Sequence, residues 1–297
     1  MPLIHLLLAL SVVFIWGTNF VVIKWALADI PPFLFATLRF ALCVLPWIFL
    51  IPRPAVPWRT LAGVGLLIGV GQFGLVYWAM REDITAGLAS LVVQAQVFLT
   101  IIMFALLKGE RTPALQKCAL ALAAAGYGVV AWRSATDPGA AVTLLGLALV
   151  LAAGLSWACS NLLVRSAGRV NMLGLVVWSS GFSIAPLFAI SLATEGPGVI
   201  AHSLASASAE AWVAVLWQAL GNTLYGFGVW NWLLARHPAA TLTPMALLVP
   251  VFGMLASAVL LHEPLPAWKL LAASLVMAGL ALNVYAGRRV SRRGGPG

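Results

Sequence analysis

Charge is scarce in this chain: eight Asp+Glu and 17 Lys+Arg among 297 residues make 8% charged, where a soluble domain carries about a quarter. So few charges cannot cover a soluble globule of this size. Cysteine is rare as well. Cys43, Cys118 and Cys159 each lie in an apolar run, with no CxxC pair and an odd total, which excludes a disulfide framework and a zinc site and makes them small buried apolar residues. The net charge of +9 could suggest nucleic acid, but that requires Lys and Arg clustered on one face. Here they stand singly or in pairs between apolar runs, so no nucleic-acid partner is expected. Catalytic materials are missing too. Paired carboxylates or a nucleophile with its base are not found, and the only adjacent acids, Glu82 and Asp83, fall in a span-end loop beside Arg81. No catalytic residue, cofactor or metal is expected.

What is present is apolar sequence, 62% of all residues, so the solvent for most side chains is lipid. A membrane helix needs about 20 apolar residues. Cutting the chain at clusters of charge, Pro and Gly leaves ten such runs, roughly 4 to 27, 33 to 51, 60 to 80, 85 to 107, 114 to 133, 142 to 165, 171 to 193, 210 to 234, 239 to 261 and 267 to 287. The fold class is an all-α integral membrane protein. Span one lacks a charged leader and is too long for a signal peptide, so it is read as a retained helix. With both termini cytoplasmic, twelve Lys and Arg fall inside and three (Arg81, Arg133, Lys269) outside, while Lys24 and Arg39 lie within spans. That bias predicts a multi-pass protein of a bacterial-type inner membrane with cytoplasmic ends.

The chain also repeats itself. At an offset of 153, nine of 22 positions between 105 and 126 are identical, including Glu110/Glu263, Pro113/Pro266 and Ala114/Ala267. A weaker match at offset 141 sets Trp16 on Trp157 and Lys24 on Arg165. The unit is five helices, residues 1–137 and 138–297. Because five is odd, the second copy enters the membrane from the opposite side. Inverted repeats are the build of secondary transporters, which bind substrate near the midplane between the halves.

Five plus five helices, a first span with Trp16-Gly17-Thr18-Asn19-Phe20, and Gly109-Glu110-Arg111 matched by Leu261-His262-Glu263 resemble the EamA branch of the drug/metabolite transporter superfamily. The resemblance covers nearly the whole chain. Within that branch, the Trp-rich composition is most similar to bacterial exporters of aromatic amino acids, which implies efflux of Phe, Tyr, Trp or similar compounds. The alternatives are export of nucleobases or flat organic cations, or a non-gated channel.

Polar residues in mid-span mark a cavity or a helix contact. On span one Trp16 and Asn19 share a face, as do Trp157, Ser160 and Asn161 on span six. Gln72 and the pair Asn222 and Tyr225 lie near the middles of spans three and eight. Gln94 and Gln96 in span four diverge, so one faces the cavity and the other a neighbouring helix. Tyr77 and Trp78 lie nearer a span end, where an aromatic belt is the competing reading. These residues are the candidates for binding a small-molecule substrate; the competing reading for the polar ones is that they tie helices together. Pro244 and Pro250 break span nine and are candidate hinges, and Glu110 and Glu263 are candidate gates. Lys24 and Arg165 read as snorkelling anchors. Arg39, a few residues inside span two, could meet a substrate carboxylate, although snorkelling is the favoured reading. No acid falls in mid-span and His5, His202, His237 and His262 are all at span ends or in loops, so export is either facilitative or couples to protons through edge groups such as Glu110, Glu263 or the substrate's amine. The bilayer is the expected surrounding. Small residues in spans five and ten would permit dimer contacts or internal packing alike, and a monomer is compatible with either.

Overall fold

A computed structural model describes residues 1–109, 112–137, 141–168 and 170–293. The described residues are helical and contain no strand, with a single antiparallel bridge between Ile84 and Val142. In chain order the helices longer than one turn are α1 Leu3–Ala26, α2 Pro32–Phe49, α3 Trp58–Glu82, α4 Ala86–Leu107, α5 Ala114–Thr136, α6 Leu144–Ser166, α7 Met172–Thr194, α8 Pro197–Ser206, α9 Ala209–Leu234, α10 Pro244–Leu260 and α11 Ala267–Arg293. Eight of them are long and apolar enough to cross a membrane. The other two expected spans fall on α9, which meets α8 at a 100° bend, and on the shorter α10.

Large apolar side chains such as Phe49, Leu106 and Trp132 point outward, while Arg39, Gln218 and Ser183 are buried. This inside-out distribution suits a hydrocarbon surrounding, in which polar groups must find partners within the protein. One expectation fails here: Cys118 is exposed on α5, whereas Cys43 is buried. A small thiol costs little against lipid, so periodicity gave no signal.

Glycine sets the closest helix crossings. Gly17 on α1 lies against α10, where a Cβ would sit 2.6 Å from both the Phe252 Cβ and the Val249 carbonyl. The small residues of α5 and α11 pack on each other inside the chain, with Gly126 against Val276 and Gly279 against Ala119 and Ala123.

Two helices widen at their centres. Residues Leu66–Gly74 of α3 and Trp217–Tyr225 of α9 are π-helical, a rare form with i→i+5 bonding that is frequent at functional sites. Helix α4 breaks at Val93 and Gln94, opposite Gly154 of α6.

Candidate functional site

The widened stretch of α9 faces α2 and α3 across a buried polar cluster. Arg39, about 10 Å along α2 at 1.5 Å per residue, is 1% exposed. Its Nη1 donates to the Tyr77 hydroxyl at 2.7 Å and its Nη2 to Thr223 Oγ1 at 2.9 Å. Tyr77 in turn donates to Gln218 Oε1 at 3.2 Å, and Thr223 donates to the Gln218 carbonyl, five residues back, at 2.8 Å. That last bond exists because the π turn stacks i on i+5, which puts Gln218, Asn222 and Thr223 on one face. Around the cation stand aromatic rings: Phe73 lies 3.6 Å and Phe40 5.2 Å from the guanidinium carbon, and Phe35 stacks on Tyr77 with centroids 4.9 Å apart. Arg39 therefore does not snorkel; its side chain turns into the protein because acceptors stand there.

Trp16 donates from Nε1 to the Asn222 carbonyl at 3.1 Å and packs on Phe227 and Trp230. Asn19, three residues on, is 4% exposed with Oδ1 unpartnered. Gln72 is likewise buried within the π stretch of α3. Asn222 donates to Gln218 Oε1 at 3.5 Å, but Tyr225 parts from it and shares a 2.7 Å hydrogen bond with Ser11 on an exposed flank. Residues three apart share a face at 3.6 residues per turn, a spacing that does not hold in a π turn. Tyr77 is fully buried, while its neighbour Trp78 is 37% exposed and packs on Phe33.

Asn161 of α6 donates to Gln96 Oε1 at 3.1 Å and Thr100 Oγ1 at 3.2 Å. Gln96 is thus the residue that meets a neighbouring helix, and Gln94 is buried at the break in α4. Ser160 is buried and Trp157 packs against the main apolar core. Pro244 lies in a 3-10 turn, Thr243–Leu247, and Pro250 is buried in the first turn of the regular helix that follows.

At one face of the molecule, acidic and basic groups cap helix ends. Glu263 accepts from the Ala86 and Gly87 N–H groups at 2.8 and 3.1 Å, at the start of α4. Glu195 accepts from Phe33 and Leu34 N–H at 2.7 and 3.1 Å, at the start of α2. Asp29 accepts from the Ser208 N–H at 2.9 Å, at the start of α9, and its hydrogen bonds to Ser208, the side chain's foremost, hold its carboxyl below the ordinary value. Carboxylates stabilise helix N-termini and cations the C-termini. Accordingly Lys24 Nζ donates to the Met80 and Arg81 carbonyls, both at 2.9 Å, closing the end of α3. It is a helix cap, not the free snorkelling anchor expected, whereas Arg165 lies 4.2 Å over the Phe104 ring. A cavity of about 360 Å³ at this face is lined by Lys24, Asp83, Thr85, Thr143 and Glu263. Glu110, the other candidate gate, lies outside the described residues.

Sequence reasoning missed Gln218 and Thr223 and under-rated Arg39. The available signal was Arg39's depth in its span, seven residues past Pro32, and the run of polar residues Gln218, Asn222 and Thr223 in one span.

A bundle of apolar helices around buried polar groups is a multi-pass membrane protein. The EamA-like transporter family matches residues 3–132 and again 144–285, and the chain belongs to that family: it is a transporter, not an enzyme. It is 40% identical over 282 residues, 94% of both chains, to the "Probable amino-acid metabolite efflux pump" of Escherichia coli (strain K12). To the protein of that name in Salmonella typhimurium it is 42% identical over 96% of both chains. It is 25% identical to the "Uncharacterized transporter YoaV" of Bacillus subtilis, over 93% of this chain and 95% of that one. A solved crystal structure, 20% identical, aligns with a TM-score of 0.62 over 98% of this chain and 99% of its own, which speaks to the fold alone.

Proposed function

We propose that the protein is a secondary transporter that exports small amino-acid metabolites, aromatic amino acids among them, across a bacterial inner membrane by alternating access. The observation that carries this reading is the buried cluster at the junction of α2, α3 and α9, where Arg39 and Tyr77 from the first half of the chain bond to Gln218 and Thr223 from the second. A site shared between halves is the place that rocking motions open and close. The two relatives named as amino-acid metabolite efflux pumps support the cargo class.

Ten spans in two inverted fives, residues 1–137 and 138–297, remain the architecture we propose. In support, the family matches each half separately, and the two nine-residue π stretches start 151 residues apart, near the offsets of the sequence repeat. With cytoplasmic termini, the capped face is the outer one, and Glu195, Glu263 and Asp29 each link one half to the other there. In this reading these links hold the outer ends of the two halves together. Trp16, Asn19, Gln72 and Asn222 would line the route.

The test is reconstitution in liposomes with flux measured across a panel of labelled amino acids. A carrier gives saturable flux with mutual competition; linear, uncompeted flux overturns alternating access. Asn19→Ala and Gln72→Ala should each lower flux severalfold with yield intact, and unchanged flux in both sinks the proposed route.

A further inference from the structure

We propose that the Arg39 guanidinium anchors the carboxylate of the cargo, so that the site takes a small amino acid or related carboxylate and rejects organic cations. This deepens the exporter reading and rests on it.

Three observations converge. First, the charge has no counterion among the described residues. Both acceptors of Arg39 are neutral hydroxyls, on Tyr77 and Thr223, and all eight acids of the chain lie at span ends or in loops. An unpaired cation buried in a membrane protein is costly, and cation–π contact with Phe73 offsets only part of the cost. Second, its donors are partly idle. A guanidinium has five N–H groups; two are used, and Nε, buried, has no acceptor. A carboxylate takes parallel N–H bonds from such a fork. Third, the neighbours fit the rest of such a ligand. Gln218, 0% exposed, has an unpartnered Nε2 donor able to share the carboxylate. The rings of Phe35, Phe40 and Phe73 offer an apolar wall.

The geometry also couples binding to movement. A carboxylate held by Nε and Nη2 draws on the same nitrogen that bonds Thr223, and the Arg39–Thr223 bond is a tie between the halves. Cargo entering the site therefore weakens a bond that holds the halves together. A cationic ligand would meet a like charge and leave that tie intact.

The experiment uses full-length protein in liposomes and the labelled amino acid that moves fastest among a panel of common amino acids. Unlabelled competitors come in pairs: each amino acid and its decarboxylated amine. The wild type should be inhibited by the acid at least about tenfold more strongly than by the amine, as loss of a charge-assisted hydrogen bond implies. Arg39→Gln should level the two, and Arg39→Lys should restore part of the difference. An amine that competes as well as its acid overturns the anchor while leaving export standing. So does an Arg39→Gln protein that still discriminates. If no amino acid moves, the exporter reading for amino acids fails and the anchor with it. Should Arg39→Gln not fold, the wild-type comparison decides alone.

Discussion

Arg39 Nη2 donates to Thr223 Oγ1 at 2.9 Å, which makes a buried cation of α2 depend on a hydroxyl of α9. Thr223→Val keeps the shape and removes the acceptor. Stranding a buried charged donor costs about 1.5–3 kcal/mol, so the detergent-solubilised variant should unfold several degrees lower, and Thr223→Ser should stay near the wild type. Equal melting of the valine and serine variants would show that the bond contributes nothing.

Glu263 satisfies two N–H groups at the start of α4 across the cavity that Thr85 lines. Glu263→Ala leaves both without an acceptor and should open this face more often. With Cys43, Cys118 and Cys159 replaced, a Thr85→Cys probe should then react faster with a membrane-impermeant maleimide. Glu263→Gln, which keeps one acceptor oxygen, should fall between. Identical labelling rates in all three backgrounds would remove Glu263 from any gating role.

Gly17→Ala should be poorly tolerated, since its Cβ meets the Phe252 Cβ and the Val249 carbonyl at 2.6 Å and backbone does not yield easily. Overpacking of this kind costs about 1–3 kcal/mol. Gly128→Ala, facing open space on α5, is the control and should be neutral or mildly stabilising. Folded yield and melting temperature of the two variants read the difference.

His5 and His237 share a 2.7 Å hydrogen bond beside Trp232. Desolvation first, then His5, the N-terminal ammonium and Arg236, hold the His237 imidazole below its ordinary value of 6.5. The fold thus favours the neutral ring. Its contribution is complete above 6.5 and is lost as pH falls toward the depressed folded value. Melting temperature should therefore hold above the ordinary imidazole value of 6.5 and drop as pH falls below it, and drop less in His237→Gln. Parallel curves for the two proteins would exclude the pair as the source.

The all-helical membrane fold was legible because lipid demands long apolar runs, and most run boundaries agree with helix ends within a few residues. Helix α10 escaped that rule: Pro244 removes a backbone donor and the chain takes a 3-10 turn before the regular helix, so the helix is shorter than its apolar stretch. The candidate residues were legible by type but not by partner. Asn161 reads like Asn19 in sequence, yet Asn161 bonds to Gln96 and Thr100 while Asn19 Oδ1 has no partner.

The scarcity of charge determined by itself that this is a membrane protein, because hydrocarbon excludes ions from helix surfaces regardless of how the helices pack. Which of the few charges matter was decided only in three dimensions. Lys24 and Arg39 are both cations within spans; the first closes a helix end and the second lies without a carboxylate at the meeting of three helices. The physical reason is that a side chain's role follows from its acceptors, and those come from helices distant in the chain, brought alongside by π turns and glycine crossings that hydrophobic periodicity does not encode.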